Sequence, residues 1–171
     1  MTDDPAPRAS TAARPPLGEA LEFMRLLWAV DHGLQRRSKR MAATLGVTGP
    51  QRLALRVLGR FPGLSAGDLA SVLHLHPSTL TGVLDRLEAK GLVARRADPA
   101  DRRRAILGLT RAGRRLDVEA AGTIESVVKA ALAARSDGEV RGAREVLSTL
   151  AARLAGGDGE ERRSRARPGM R

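Results

Sequence analysis

The sequence predicts a mainly α-helical chain that carries one small β-hairpin. Three observations lead to this prediction: the composition of the core, the spacing of the apolar residues, and a Pro/Asp turn between two short apolar runs. Aromatic residues make up only 2% of the 171 residues, so the core is left to Leu, Val and Ala. That composition favours packed helices over a β-sandwich, which draws on β-branched and aromatic side chains.

Two helices are expected in the first third of the chain. Apolar residues recur at helical spacing from Leu17 to about Leu45, and Gly46 is a natural left-handed stop. Thr48 is then expected to cap a second helix, because Gln51 stands three residues later and a proline lies in the first turn. The inner face of this second helix is expected to hold Leu53, Val57, Leu58 and Phe61.

Two shorter helices are expected to follow in close succession. The first begins after Ser65, with Asp68 at the capping-box position, and the second begins at Pro77 and stops at Gly91. The second has strict i, i+3, i+4, i+7 apolar spacing, through Leu80, Val83, Leu84 and Leu87. This pair has the outline of a helix-turn-helix.

A β-hairpin and two further helices complete the prediction. Residues 92–96 and 105–109 are short apolar runs around the turn, and a hairpin directly after a helix-turn-helix is a wing. Thr110 is expected to cap one long fifth helix that reaches Ala131. After Ser136 a last helix shows apolar residues at alternating three- and four-residue steps, which is typical of a helix that packs on another helix.

The charge balance restricts the partners. Thirty basic against 19 acidic residues give a net charge of +11, which predicts a polyanion, either nucleic acid or an anionic membrane surface. No stretch reaches about 18 consecutive apolar residues, so no membrane span is expected. The first 16 residues lack the apolar core of a signal peptide, and a cytoplasmic location is expected.

The sequence gives little support for a catalytic or metal-binding function. The chain has no cysteine, which excludes disulfides and thiolate zinc sites. His74 and His76 could be a metal pair, but with one further histidine and no acidic cluster nearby they are interpreted as turn structure. We find no phosphate-binding glycine loop and no nucleophile elbow, so neither a cofactor, a metal nor an enzymatic activity is predicted.

The helix that begins at Pro77 is the candidate reader of DNA. Its first turns carry small residues opposite the apolar face, which leaves hydroxyls and backbone N–H groups free for base edges and phosphates in a major groove: Ser78, Thr79, Thr81 and Gly82. The same residues also suit an ordinary helix start. The adjacent wing favours the functional interpretation.

The tip of the hairpin is the second candidate element. Residues 92–115 hold eight arginines and only two acids, Asp98 and Asp101. Arg102, Arg103 and Arg104 are expected at the tip, where a guanidinium reaches a narrow minor groove or the phosphates. The alternative is a solvated run of charge.

The hairpin segment also resembles a known family. Residues 98–113, DPADRRRAILGLTRAG, are similar to the wing signature of the MarR family of bacterial regulators, Asp-Pro-x-Asp-Arg-Arg followed by a spaced Leu-Thr and Gly. The shorter pattern Asp-x-Arg-x-x-x-Leu falls on Asp101, Arg103 and Leu107. Upstream, residues 69–70, 77–81 and 84–93 are similar to the helix-turn-helix run of the family, and the resemblance covers roughly residues 17–155.

The resemblance implies a winged-helix dimer whose interface is built by the first helix and the last two. Each subunit would place the fourth helix in a major groove and the wing in the flanking minor groove. Contacts with the groove or with phosphates are implied for five residues, Pro77, Ser78, Thr79, Thr81 and Arg86. Arg103 would be the minor-groove residue and Asp101 its positioning partner, whereas His76 departs from the pattern at a cap position where Ser, Thr or Asp is commoner.

The resemblance further implies a small-molecule effector, because many members bind small, often phenolic or anionic ligands beside the dimer helices. Four residues lie along the first helix where such a cleft would be: Trp28, Asp31, His32 and Arg36. In the alternative interpretation Trp28 belongs to the core and His32 to the surface.

Together these observations predict a sequence-specific transcriptional regulator, a ligand-released repressor that binds double-stranded DNA with an inverted repeat as a homodimer. Residues 48–109 would form the winged helix-turn-helix domain, and residues 17–47 and 110–155 the dimerisation helices. Residues 1–16 are expected to be a disordered tail and residues 156–171 a disordered basic tail. The alternative is a sequence-nonspecific architectural DNA-binding protein, for which the basic tail could be cited.

Overall fold

The computed structural model of the chain describes residues 17–99, 101 and 104–165, with side chains described up to residue 154. The predicted fold class is confirmed: helices predominate, and the two strands form one antiparallel hairpin. The elements are α1 (Glu19–Leu45), α2 (Gly49–Arg60), α3 (Ala66–Leu73), α4 (Pro77–Ala89), β1 (Val93–Ala97), β2 (Ala105–Leu109), α5 (Arg111–Leu116), α6 (Ile124–Ala133) and α7 (Asp137–Arg165). None of the helices in these ranges is long and apolar enough to cross a bilayer.

Local signals in the sequence set most of the helix boundaries. Thr48 and Gln51 form a reciprocal capping box at the start of α2, and Ser65 and Asp68 form another at the start of α3. Helix α1 ends at Leu45, and Gly46 caps it in the left-handed conformation with φ 71°. These predicted boundaries are therefore confirmed.

The core lies between α2, α3, α4 and the hairpin. Its buried side chains include Leu55 and Leu58 of α2, Leu69 of α3, Leu84 of α4 and Leu107 of β2. The strands pair in register from Val93 opposite Leu109 to Ala97 opposite Ala105. The Leu107 amide also donates to the carbonyl of Leu64 (2.8 Å), which fixes the hairpin to the residues that lead into α3.

The prediction of which α2 residues face the core is partly wrong. Leu58 is buried, but Leu53 and Phe61 are exposed, and the helix buries Gln51 and Arg52 instead. The reason is that these two polar side chains have partners inside the protein: Gln51 completes the capping box, and Arg52 reaches the chain after α5. A polar residue can be buried when its hydrogen bonds are satisfied.

The prediction of a single long fifth helix is also wrong, because this part of the chain forms two helices, α5 and α6. Helix α5 ends at Leu116, and Thr123 starts α6 by accepting a hydrogen bond from the Ser126 amide. Gly122, with φ 76°, precedes this cap. The pair Gly122-Thr123 is a helix-start signal that the apolar periodicity conceals.

Helix α7 extends further than the sequence predicts. It continues to Arg165, ten residues into the segment 156–171 that is expected to be a disordered tail. Glu and Arg, which have high helix propensity, dominate residues 160–165, and the helix continues through the preceding glycines despite the low propensity of glycine. The rest of that segment and the predicted tail 1–16 lie outside the described residues.

Candidate DNA-binding surface and effector cleft

Helix α4 has one buried face and one open face. Leu80, Val83, Leu84 and Leu87 are buried against the core. Of the residues predicted to read DNA, five are exposed and Gly82 is half-buried; the exposed ones are Pro77, Ser78, Thr79, Thr81 and Arg86. The structure therefore brings all six to the open side of one helix.

Two of the hydroxyls on this face already make local hydrogen bonds. The Thr81 hydroxyl donates to the carbonyl of Pro77 (2.9 Å), one turn earlier. The Ser78 hydroxyl lies 2.7 Å from Nδ1 of His76. A hydroxyl has two lone pairs besides its proton, so Thr81 keeps the capacity to accept a hydrogen bond from a base.

His76 caps the candidate reading helix in place of the usual Ser, Thr or Asp. Its Nδ1 accepts a hydrogen bond from the Ser78 amide at 3.3 Å. Nδ1 can accept only when the proton of the neutral ring is on Nε2. His74 has a structural position too, as the left-handed residue that ends α3. No cluster of three possible metal ligands occurs among the described residues.

The base of the wing is fixed by Thr110 and Gly113. The Thr110 hydroxyl donates to the carbonyl of Gly91 (2.6 Å) and accepts from the Gly113 amide (3.1 Å), while the Thr110 amide donates to the carbonyl of Leu92. A Cβ on residue 113 would lie 2.1 Å from the oxygen of Leu92. The Thr and Gly of the wing signature thus hold the hairpin against the residues that follow α4.

The wing also contacts the helices on either side of it. Arg95 of β1 forms ion pairs with Glu88 (2.6 Å) and Asp85 (3.7 Å) of α4. Arg104 pairs with Asp68 of α3 at 3.3 Å. Sequence reasoning missed both contacts, because each joins residues from different elements.

The predicted tip residues are not equivalent. Arg104 is held toward α3, and its amide donates to the carbonyl of Asp101 within the turn (2.9 Å). The hydrogen bonds from the side chain and the amide of Ser65, together with the charge of Arg104, lower the pKa of Asp68 below its ordinary value. Asp101 is exposed in the turn, and the predicted Arg102 and Arg103 lie outside the described residues.

A cleft of about 1030 Å³ lies between α1, α2, the α5–α6 connection and α6. Of the four predicted effector residues only Asp31 lines it. Arg36 lines a smaller neighbouring cleft of about 440 Å³ between α1 and α6. Trp28 is 64% exposed, so it is not a core residue, and neither Trp28 nor His32 lines either cleft.

Comparison with known proteins agrees with this geometry. The family model described as MarR family matches residues 45–104. The HTH-type transcriptional repressor Rv2887 of Mycobacterium tuberculosis is 37% identical over 106 residues, which cover 62% of this chain and 73% of that protein. The chain belongs to the MarR family. It is a DNA-binding transcriptional regulator, and its fold is that of the winged-helix regulators of this family.

Two further proteins illustrate the range of the similarity. The regulator TtmR of Methylorubrum extorquens is 40% identical over 90 residues, which cover 53% of this chain and 46% of that protein. The chain therefore matches about half the length of this relative. The crystal structure of CouR from Rhodococcus jostii, bound to p-coumaroyl-CoA, superposes with a TM-score of 0.64 at 25% identity, covering 80% of this chain and 96% of CouR.

The residues that connect α2 to the segment between α5 and α6 beside the cleft were missed by sequence reasoning. Arg52 is buried in α2 and forms an ion pair with Glu125, while Arg56 pairs with Asp117 at 2.7 Å. Burial acts to raise the pKa of Glu125, but hydrogen bonds from Arg52, its own amide and Thr123, with the charge of Arg52, hold it below its ordinary value. The only sequence signal is an arginine at a position that the apolar spacing would leave on the surface.

Proposed function

We propose that the protein is a homodimeric, sequence-specific repressor that binds an inverted-repeat operator and is released by a small molecule in the cleft. The observation that carries this proposal is the two-faced helix α4. Its apolar side is buried in the core, and its small polar residues are open beside a hairpin fixed to both α3 and α4. Such a helix fits a major groove without bulky side chains in the way.

Within this proposal α4 and the wing have different tasks. Thr79 and Thr81 contact base edges, and Arg86 contacts a phosphate. Arg103 contacts the minor groove, and Asp101 is its positioning partner. The net charge of +11 supports the phosphate contribution, which is independent of sequence.

The exposed apolar residues of α1 and α7 support a dimer. Of the 27 residues of α1, only Met41 is buried. The helix exposes a series of large apolar side chains: Leu21, Phe23, Met24, Leu26, Trp28, Val30 and Leu34. Helix α7 likewise exposes Val146, Leu147 and Leu154. Since a monomer rarely leaves so much apolar surface in water, a two-fold partner would cover it.

The position of the cleft supports release by a ligand. Its walls include α1 of the proposed dimer interface, α2 of the DNA-binding domain and the connection between α5 and α6. A ligand that prefers one relative arrangement of these elements shifts the spacing of the two α4 helices. The similarity to CouR, whose crystal structure holds p-coumaroyl-CoA, supports a small-molecule ligand for this chain.

Competition with random DNA tests the proposal. The intergenic DNA that flanks the protein's own gene is labelled, and its complex is challenged at fixed salt with random duplex. A specific regulator keeps its site against about a 10³-fold excess of competitor. Displacement by an equal amount of random DNA would instead identify a sequence-nonspecific architectural protein.

A further inference from the structure

We propose that the cleft binds a small lipophilic cation and that Asp31 is its counter-ion. This inference rests on the proposed function, since it names the chemical class of the effector. It differs from the anionic ligands that the resemblance to the family implies. The argument depends on which charges of the cleft are already neutralised.

Four charged groups on the cleft wall have partners of opposite charge. Arg56 pairs with Asp117 at 2.7 Å, and Lys129 pairs with Glu119 at 2.8 Å. Glu125 pairs with the buried Arg52. Within this cleft, an anionic ligand would therefore have to displace a carboxylate from Arg56 or Lys129 to obtain a cation.

Asp31 is the exception among the charged groups that line the cleft. It accepts one hydrogen bond from the amide nitrogen of Gln35 (2.8 Å), a neutral donor that leaves the carboxylate charge in place. Within the described part of the chain no lysine, arginine or histidine pairs with it. The ion pairs cancel, so the cleft carries a net charge of −1 in a chain whose total is +11.

The remaining wall of the cleft is largely apolar. Leu34, Leu53, Leu73, Ile124 and Val128 line it. Leu53 is 52% exposed although it lies in the middle of α2, so it gains from being covered by an apolar body. The volume of about 1030 Å³ suits a ligand the size of a drug molecule. An apolar body with one positive charge matches both the wall and the carboxylate.

Two ions of the same shape and opposite charge test the inference. Tetraphenylphosphonium and tetraphenylborate are titrated by calorimetry into the full-length protein without DNA. We expect tetraphenylphosphonium to bind and Asp31→Asn to weaken it about fivefold, which is the upper size of an exposed ion pair. Glu19→Gln removes a charge from the same helix outside the cleft and should leave this affinity within twofold.

Tetraphenylborate shows whether Asp31→Asn weakens the binding of tetraphenylphosphonium through the lost charge. Its affinity should rise or stay unchanged in Asp31→Asn. The inference is wrong if tetraphenylphosphonium does not bind, if Asp31→Asn and Glu19→Gln have equal effects, or if both ions weaken together in Asp31→Asn.

The proposed function is tested separately by the ligand-free protein. If that protein holds its operator against random DNA and the phosphonium ion does not bind, only the choice of ligand class is wrong. If it fails to hold any operator while the ion binds as expected, the repressor proposal is wrong and the cation site stands.

Discussion

Arg52 and Glu125 lie 73 residues apart in the chain and form an ion pair beneath the connection between α5 and α6. The Arg52 side chain is 2% exposed, and its guanidinium also donates to the carbonyls of Leu116 (2.9 Å) and Val118 (2.7 Å). These carbonyls belong to the segment where α5 ends and the chain turns toward α6. One side chain of α2 thus fixes the segment between α5 and α6, which forms one wall of the cleft.

Replacing Arg52 should destabilise the fold. Arg52→Met keeps the length of the side chain but removes the donors to two carbonyls and to Glu125, and we expect a loss of about 3 kcal/mol in the free energy of unfolding. Urea unfolding followed by circular dichroism measures it. Arg60→Met, at the exposed end of the same helix, should change stability by less than about 0.5 kcal/mol. Equal losses in the two variants would contradict the bridging role.

The same ion pair predicts a dependence of stability on pH. The folded pKa of Glu125 lies below its ordinary value of 4.5, so its stabilisation is present above that value and is lost as pH falls through the folded pKa. Glu125→Gln should therefore be less stable than the wild type at pH 6, and the difference should shrink toward pH 3. Unfolding free energies at several pH values measure the difference. A gap that stays constant over this range would exclude an ionised Glu125 as its source.

Gly113 is predicted to tolerate no side chain. Its missing Cβ leaves room for the carbonyl of Leu92, which a methyl group would approach to 2.1 Å. Gly113→Ala should cost about 2 kcal/mol, because the atom that must move is backbone and also accepts the hydrogen bond from Thr110. Gly108→Ala is the matched control, since a Cβ on this β2 residue meets no atom within 4 Å. Equal melting temperatures of the two variants in thermal unfolding would argue against the close contact between Gly113 and the carbonyl of Leu92.

The dimer is tested through α7. Leu147 is 52% exposed and Leu150 is half-buried in the single chain. Changing both to Asp places charge in the proposed interface, and we expect monomers or aggregates that no longer bind DNA. Light scattering at micromolar concentration gives the mass. A well-behaved wild-type monomer, or an unchanged mass in the double variant, would refute the interface.

The sequence predicts those parts of the fold that depend on local signals. Each of these signals is contained in a few consecutive residues, and each is confirmed: the caps at Thr48 and Ser65, the stop at Gly46 and the apolar spacing of α4. The break between α5 and α6 was missed because apolar periodicity continues across it, and it is held by Arg52 from a distant helix.

The residues that line the cleft could not be predicted from local sequence signals either. Its position beside α1 could be expected, but its lining depends on how several distant segments meet, so only Asp31 of the four candidates lies on it. The pairing of Arg104 with Asp68 likewise depends on how the wing folds back, which the charge of the segment does not indicate.

The central claim is that the open face of α4 reads bases in two half-sites. Thr81→Ala removes one exposed hydroxyl and should cost about 1–3 kcal/mol at the operator, while binding to random DNA hardly changes. Thr44→Ala is the matched control, because Thr44 is also an exposed helical threonine whose hydroxyl donates to a carbonyl one turn earlier, that of Arg40. It should bind the operator as the wild type does.

Selection of bound sequences from a random DNA pool, carried out with the wild type, Thr81→Ala and Thr44→Ala, tests this claim most directly. The wild type and Thr44→Ala should select the same inverted repeat, with half-sites about one DNA turn (~34 Å) apart. Thr81→Ala should lose preference at matching positions in both half-sites. A pool without an inverted repeat, or a Thr81→Ala protein that selects the wild-type sequence with undiminished preference, would show that α4 does not read bases.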